Sequence, residues 1–205
     1  MGAVIDARDI AKLLGRAPLL RWLGCVYWEE PVYCCSTAAG PLQQLPPTPI
    51  CISGAPLLRS FRLFNYTLSR CIPLLAQAAH LHRCRLALHV PFGSEPPVST
   101  PVEIVLPSLH TLVLELHDTH ATAYRTLQYF TLPALRRLQL ASFLLSDQTT
   151  PGTFRDLVSR SKCSIDELHV SDTDLASRLD VEAAANVASA RTLVIREDPT
   201  TWMTS

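Results

Sequence analysis

The chain has 205 residues, 48% of them hydrophobic, and its 18 basic and 18 acidic side chains balance to a net charge near zero. This length is typical of one domain, and the balanced charge provides no overall field that attracts nucleic acid or anionic lipid. Every apolar run is far shorter than the roughly 18 residues that a membrane-spanning helix requires. We therefore expect one domain, residues 1–205, that binds neither nucleic acid nor a membrane.

The first residues of the chain are unlike a secretory signal, because Asp6, Asp9 and Lys12 interrupt the apolar stretch that such a signal needs. The seven cysteines are an odd number and are scattered along the chain. Free thiols are typical of reducing compartments, and a buried free cysteine packs as a small hydrophobic side chain. These features predict a cytoplasmic or nuclear protein.

An apolar spacing of the form L-x-x-L-x-L recurs along the chain. Its seven copies are Leu20/Leu23/Cys25, Leu58/Phe61/Leu63, Leu81/Cys84/Leu86, Leu109/Leu112/Leu114, Leu135/Leu138/Leu140, Ile165/Leu168/Val170 and Ala190/Leu193/Ile195. From Leu58 onward, successive copies begin 23 to 30 residues apart, close to the roughly 20–29-residue period of leucine-rich repeats. The corresponding repeat segments are residues 17–28, 55–66, 78–90, 106–116, 132–143, 162–173 and 189–198.

Each copy predicts a strand, because its hydrophobic residues alternate with others and bury one face of a sheet. Between the strands, the spacing of apolar residues predicts helices over residues 4–14, 69–81, 121–130, 153–162 and 181–189. The proline-rich insert 40–49 predicts a loop or a degenerate repeat, and residues 90–105 predict an extended crossing without a helix. The expected fold class is α/β: an irregular leucine-rich-repeat solenoid with a concave parallel sheet and with helices and loops on its convex side.

Several segments resemble the leucine-rich-repeat region of fungal, mushroom-type F-box-like proteins. They are APLLR before two of the strands, LPSLHTLVL, LPALRRLQL, and LVSRSKCSIDELHV, in which a helix ends in RSKCS just before a strand. The resemblance covers residues 4–197, without an F-box ahead of the repeats. It implies a protein–protein interaction scaffold of the substrate-recognition type. A place in a ubiquitin-ligase complex is implied only if the full gene encodes an F-box that this sequence lacks. The alternative is a truncated remnant that binds no partner.

Residues typical of catalytic and metal sites are sparse. The two densest histidine clusters, residues 80–84 and 117–120, come without a CxxC pair and predict surface histidines in preference to a metal site. The sequence has no phosphate-binding loop, dinucleotide fingerprint or nucleophile elbow, and its seven glycines provide little material for such loops. We therefore expect no enzyme activity, no metal and no cofactor.

The strand residues that point away from the core predict the partner-binding surface. In stacked repeats these residues form columns, with about 4.8 Å between neighbouring strands. The candidate residues are Arg62, Arg83, Arg85, Arg137, Glu115, Glu167 and His169. Because arginines cluster on neighbouring strands, we expect them to bind a protein through an acidic peptide or surface. The alternative is a solvated face on which Glu103 or Glu115 neutralises the arginines across a repeat.

Overall fold

The computed structural model describes residues 4–6, 21–26, 57–88, 103–116, 123–141, 144–145, 152–171 and 178–196. These residues form a mixed α/β structure. Its strands are β1 (Val4–Asp6), β2 (Trp22–Val26), β3 (Ser60–Tyr66), β4 (Arg83–Leu88), β5 (Ile104–Val105), β6 (Thr111–Leu116), β7 (Phe130–Thr131), β8 (Arg137–Ala141), β9 (Glu167–Ser171) and β10 (Thr192–Arg196). Its helices are α1 (Leu68–Leu75), α2 (Thr153–Ser161) and α3 (Arg178–Val187), with a 3-10 helix at Ala123–Tyr129. The insert 40–49 and most of the predicted crossing 90–105 lie outside the described residues.

Eight of the described strands form one sheet, whose spatial order follows the chain as β1, β2, β3, β4, β6, β8, β9 and β10. Every pairing in this sheet is parallel. Strands β5 and β7 pair with each other in a separate two-stranded parallel sheet. Parallel neighbours need a long crossover connection, which is why a helix or another connecting segment separates each strand from the next. The parallel pairing that the repeats predict is confirmed.

The hydrophobic residues of the repeats fill one continuous core on one face of the sheet. Leu112 lies opposite Leu138, and Leu138 lies opposite Leu168, so the buried side chains stack directly from strand to strand. The predicted inward residues of these strands are all buried: Leu112, Leu114, Leu138, Leu140, Leu168 and Val170. Burying one leucine contributes about 1.5–3 kcal/mol, so these stacked rows of buried side chains are a main source of stability. In the outermost strand β10, the equivalent Leu193 and Ile195 are only half-buried.

Helix α2 packs on the core side of the sheet. Its apolar residues Phe154 and Leu157 are buried in the same cluster as the strand leucines. At the end of the helix, the buried Ser161 Oγ accepts a hydrogen bond of 2.9 Å from the Leu132 backbone N–H. Arg160 Nη2 donates to the Phe130 carbonyl at 2.7 Å. The helix is therefore anchored to β7 and to the turn that leads into β8.

The predicted helix over residues 4–14 does not begin where the apolar spacing indicates. Val4–Asp6 is a short strand instead, because it pairs in register with Gly24–Val26 of β2. Two β-branched residues, Val4 and Ile5, favour this extended conformation. The rest of that predicted helix lies outside the described residues.

Two other predicted helices differ from those in the structure. Residues 121–130 contain a 3-10 helix followed by β7, and not an α-helix. Their buried residues Leu127 and Phe130 are three apart, a spacing that matches three residues per turn. The helix predicted over 69–81 contains Pro73 and ends at Leu75. Beyond it, the Ala78 N–H donates to the Leu75 carbonyl and the Leu81 N–H to the Ala78 carbonyl, so turns lead into β4.

Candidate interaction surface

The face of the sheet opposite to the core, here called the outer face, carries three columns of side chains. The strand register aligns these columns as the repeat spacing predicts. The first column contains Trp22, Ser60, Arg83, Thr111, Arg137, Glu167 and Thr192. The second contains Gly24, Arg62, Arg85, Val113, Gln139, His169 and Val194. In the third, Val26, Phe64, Ala87 and Glu115 are adjacent, as are Ala141, Ser171 and Arg196.

Exposure decreases from the first column to the third. Arg83, Arg137 and Thr192 of the first column are exposed. Most side chains of the second column are half-buried, whereas Ala87 and Ala141 of the third are buried. The part of the outer face that a partner can reach most easily is therefore the end at which the strands begin.

Arg85 and Glu115 form a two-point ion pair between β4 and β6. Arg85 Nη2 donates to Glu115 Oε1 at 2.7 Å, and Arg85 Nε donates to Oε2 at 3.2 Å. The two side chains are only 12% and 17% exposed, so solvent screens the pair weakly. The alternative in which Glu115 neutralises an arginine across a repeat is thus confirmed for Arg85. Glu103, in contrast, accepts a hydrogen bond from Thr131 Oγ1.

Aromatic rings contact two arginines of the second column. The Arg62 guanidinium carbon lies 5.7 Å from the centre of the Trp22 ring, and that of Arg85 lies 5.6 Å from the centre of the Phe64 ring. Such contacts contribute about 0.5–1 kcal/mol at exposed sites. Gly24 makes room for the first contact, because a Cβ at this position would stand 2.9 Å from Trp22 Cη2. Tryptophan stacking therefore orients Arg62 without engaging its charge in an ion pair.

Arg137, Glu167 and His169 form one group towards the other end of the outer face. Arg137 Nη2 lies 3.0 Å from Glu167 Oε1, and His169 Nε2 lies 3.4 Å from Glu167 Oε2. The Arg137 side chain is 59% exposed, so water and salt screen this pair and it contributes at most about 1 kcal/mol. The Glu167 carboxylate is thus already engaged within the chain.

The seven predicted binding residues consequently divide into two groups. Five of them take part in the internal contacts just described: Arg85, Glu115, Arg137, Glu167 and His169. The remaining two, Arg62 and Arg83, have no carboxylate partner among the residues that the structure describes. Arg85, one of the arginines expected to bind an acidic partner, instead lies beside a carboxylate of the next strand in the sheet.

A second line of polar residues runs beside the outer face, at the position immediately before each strand. We call it the leading row: Arg21, Arg59, His82, His110, Arg136, Asp166 and Arg191. The backbone ladder extends through it, as in the 2.9 Å hydrogen bond from the His110 N–H to the His82 carbonyl. Each member is the second residue of an L-x-x-L-x-L copy, which is a clear sequence signal. The leading row is nevertheless absent from the predicted binding residues, because that position has the same parity as the core residues.

From β2 to β6, the leading row contains arginines and histidines and no carboxylate. Arg59 Nη1 donates to the His80 carbonyl at 3.1 Å and lies 3.5 Å from His82 Nε2. The His82 ring in turn meets the His110 ring edge-on, with 5.2 Å between centroids. Partial loss of solvent and then the positive neighbours Arg59, His110 and His80 hold the pKa of His82 below its usual value. A neutral His82 can accept a hydrogen bond from Arg59, so this contact favours the deprotonated ring.

Beyond β6, the leading row contains its own counter-charge. Asp166 Oδ2 accepts a hydrogen bond of 3.2 Å from Arg136 Nη1, and Asp166 Oδ1 lies 3.7 Å from Arg191 Nε. Both arginines are largely exposed, so the pairs are weak. They nevertheless distinguish the β8–β10 end of the row from the β2–β6 end.

Other chemistry can be judged only where the structure describes the chain. Within those residues, no group of three or more His, Cys, Asp or Glu side chains is placed to hold a metal ion. Burial raises the pKa of the Cys84 thiol, and partial burial raises that of Cys163; thiols in this state are poor nucleophiles. Among the described helices, none has both the length and the apolar character to cross a membrane.

The arrangement just described is the basis for any functional assignment, because relatives do not supply one. Comparisons with protein-family models, with curated proteins and with solved structures find no match to this chain.

Proposed function

We propose that this protein is a leucine-rich-repeat solenoid that recognises other proteins through the outer face of its sheet. The observation that carries the proposal is the stack of eight parallel strands in chain order, with the core on one face and aligned polar columns on the other. Solenoids of this kind build extended binding surfaces from equivalent residues of successive repeats. Core leucines at a fixed phase in each strand support the same interpretation.

The chemistry of the outer face also favours protein recognition. Its side chains are of mixed type, with arginines, threonines, a tryptophan and carboxylates in neighbouring positions of the columns. Aromatic and arginine side chains are the residues most enriched at the energetic centres of protein interfaces. Of these, Trp22 and Arg62 already contact each other, so less side-chain freedom is lost when a partner binds.

The resemblance to fungal F-box-like proteins gives this proposal a more specific form. In it, the solenoid is a substrate-recognition scaffold in the cytoplasm or nucleus, and it joins a ubiquitin-ligase complex only if an F-box is supplied by the rest of the gene. The alternative is a truncated remnant that folds and binds no partner. The two alternatives differ in whether the outer face captures a specific protein.

The test is a quantitative pull-down with two matched variants. The outer-face variant carries Thr111→Glu and Thr192→Glu, both in the first column. The control carries Ser159→Glu and Ala183→Glu, at exposed positions of α2 and α3, and changes the net charge by the same amount. We expect a protein that the natural chain and the control retain and that the outer-face variant loses.

Binding of that protein is then measured with purified components, so that capture alone does not decide the question. Direct binding that only the outer-face variant loses supports the recognition module. If all three chains retain the same proteins in the same amounts, the outer face is not a recognition surface. If none retains any protein, the remnant alternative is favoured.

A further inference from the structure

The charge of this protein is unevenly distributed along the chain. Residues 31–94 contain no aspartate or glutamate, although they contain five arginines and three histidines. This segment supplies β3, α1 and β4. A chain whose net charge is zero therefore has one part of its sheet that is built without acidic residues.

Four arginines of strands β2 to β4 lie at the beginning of these strands, and we call them the basic corner: Arg21, Arg59, Arg62 and Arg83. Arg21 and Arg59 belong to the leading row, and Arg83 belongs to the first column of the outer face. Arg21, Arg59 and Arg83 are exposed, and Arg62 is half-buried over the Trp22 ring. One surface region thus joins the leading row to the outer face.

The basic corner has no internal counter-charge where the structure describes the chain. Glu115, on the outer face of β6, is already held by Arg85 at two points. The adjacent leading-row residues, His82 and His110, bring no carboxylate either. Like charges placed side by side on a sheet repel one another, so a ligand that brings carboxylates relieves a cost already present in the free protein.

We propose that the basic corner is the docking site for an acidic segment of the partner protein. This inference rests on the proposed function and names the chemistry of the partner. Strands β2 and β4 are two strand spacings apart, about 10 Å. An extended peptide covers that distance in about three residues, since it advances about 3.3 Å per residue. Two or three carboxylates on such a segment can each meet a guanidinium group, the pairing that arginine forms best.

The same surface is less suited to nucleic acid. Non-specific binding of nucleic acid depends on many phosphate contacts and, for single strands, on exposed aromatic rings that stack with bases. The basic corner has four arginines. The Trp22 ring beside them already contacts the Arg62 guanidinium. Beyond β6 the leading row contains Asp166, which Arg136 and Arg191 already engage, so a longer polyanion meets a carboxylate there.

The test measures binding of fluorescein-labelled hexaglutamate by fluorescence anisotropy. The corner variant carries Arg21→Gln and Arg83→Gln, because neither side chain has an ion pair among the described residues. The matched control carries Arg155→Gln and Lys162→Gln, at exposed positions of α2 and just after it, and removes the same two charges. Thermal unfolding of each chain verifies that the fold is retained.

We expect hexaglutamate to bind the natural chain and the control equally, and to bind the corner variant about tenfold more weakly, because two exposed charge pairs are lost. Binding should also weaken as salt is added. Equal weakening in the corner and control variants would mean that only net charge matters, and would overturn the proposal. Tighter binding of an oligothymidylate of the same charge would overturn it in favour of nucleic acid.

The partner found by pull-down separates this inference from the proposed function. If the corner variant binds that partner as the natural chain does, while the outer-face variant does not, the recognition module stands and the basic corner is rejected. If the partner is lost from the corner variant and retained by the Arg155/Lys162 control, both proposals are supported.

Discussion

In the leading row and the first column, β2 to β4 and β8 all supply arginines, but the described structure pairs those of β8 with carboxylates at the start of β9 and leaves those of β2 to β4 without one. Arg136 and Arg137, before and at the start of β8, lie opposite Asp166 and Glu167. Arg83, in contrast, lies between Ser60 and Thr111. One end of the sheet surface is thus neutralised strand by strand, and the other end remains cationic.

This difference shows that the net charge of the chain is a poor description of its surface. The core is alike at both ends, with buried apolar residues at the same phase of the repeat. A solenoid can vary its surface in this way because each repeat contacts mainly its neighbours. Charges on one strand can therefore change without altering the packing several strands away, and the functional difference lies in the outward residues alone.

The largest expected effects concern the core that both ends share. Leu63 of β3 and Leu138 of β8 are both fully buried. Replacing either residue by alanine should lower the free energy of unfolding by about 2–5 kcal/mol, as measured by urea denaturation. Similar losses of unfolding free energy at the two sites would mean that the two ends of the sheet differ only in their surface residues. A loss below about 1 kcal/mol at Leu63 alone would show that the cationic end is also loosely packed.

A smaller effect is expected at the boundary between the two ends, where Glu115 holds Arg85. Glu115→Gln should lower the free energy of unfolding by about 1–3 kcal/mol, because a largely buried guanidinium loses its carboxylate. The same change extends the cationic region by one arginine and should tighten hexaglutamate binding. Glu182→Gln on α3 removes an equal charge at an exposed position and serves as the control. Equal effects of the two variants on binding would contradict this prediction.

At the neutralised end, Arg137→Gln should change the free energy of unfolding by less than about 1 kcal/mol, since the Arg137–Glu167 pair is exposed. Hexaglutamate binding should stay as it is in the natural chain. A double-mutant cycle with Glu167→Gln measures the pair itself. If Arg137→Gln weakened hexaglutamate binding as much as the corner variant does, the distinction between the two ends would fail.

The smallest effect concerns the pKa of His82, which partial burial and then Arg59, His110 and His80 hold below the usual value. Arg59→Gln should raise this pKa, though not fully to about 6.5, because the loss of solvent remains. A histidine NMR titration measures the shift, and Arg155→Gln is the control. An unchanged His82 pKa in Arg59→Gln would show that Arg59 exerts no field on the ring.

The direction of the pH effect on stability follows from the same shift. The folded His82 binds its proton less readily than the unfolded one, so its contribution to stability is present above the unfolded pKa. That contribution is lost as pH falls through the folded pKa. In Arg59→Gln, the loss of stability below neutral pH should be smaller, and urea denaturation at a series of pH values tests this.

Seven strands of the large sheet (β2 to β4, β6 and β8 to β10), their order, their register and the residues of the three columns could be predicted from the sequence by itself. Seven copies of one spacing set the phase, and a period of two assigns each residue to a face of the sheet. Pairing of Arg62 with Arg85, and of Gln139 with His169, follows from that phase alone. Local alternation does not, however, settle short segments such as Val4–Asp6, where the pairing with β2 decides the conformation.

Only the tertiary structure decided which charges are paired and where the cationic surface lies. The Arg85–Glu115 pair runs diagonally between columns, and such a contact depends on side-chain rotamers that no spacing rule contains. The leading row has the parity of the core but lies before the strands, where the first apolar residues of five described repeats already fill the interior: Leu58, Leu81, Leu109, Leu135 and Ile165. Its residues therefore face solvent. Arg21 and Arg59 belong to the surface because the core ends at this position, and no periodicity in the sequence marks where it ends.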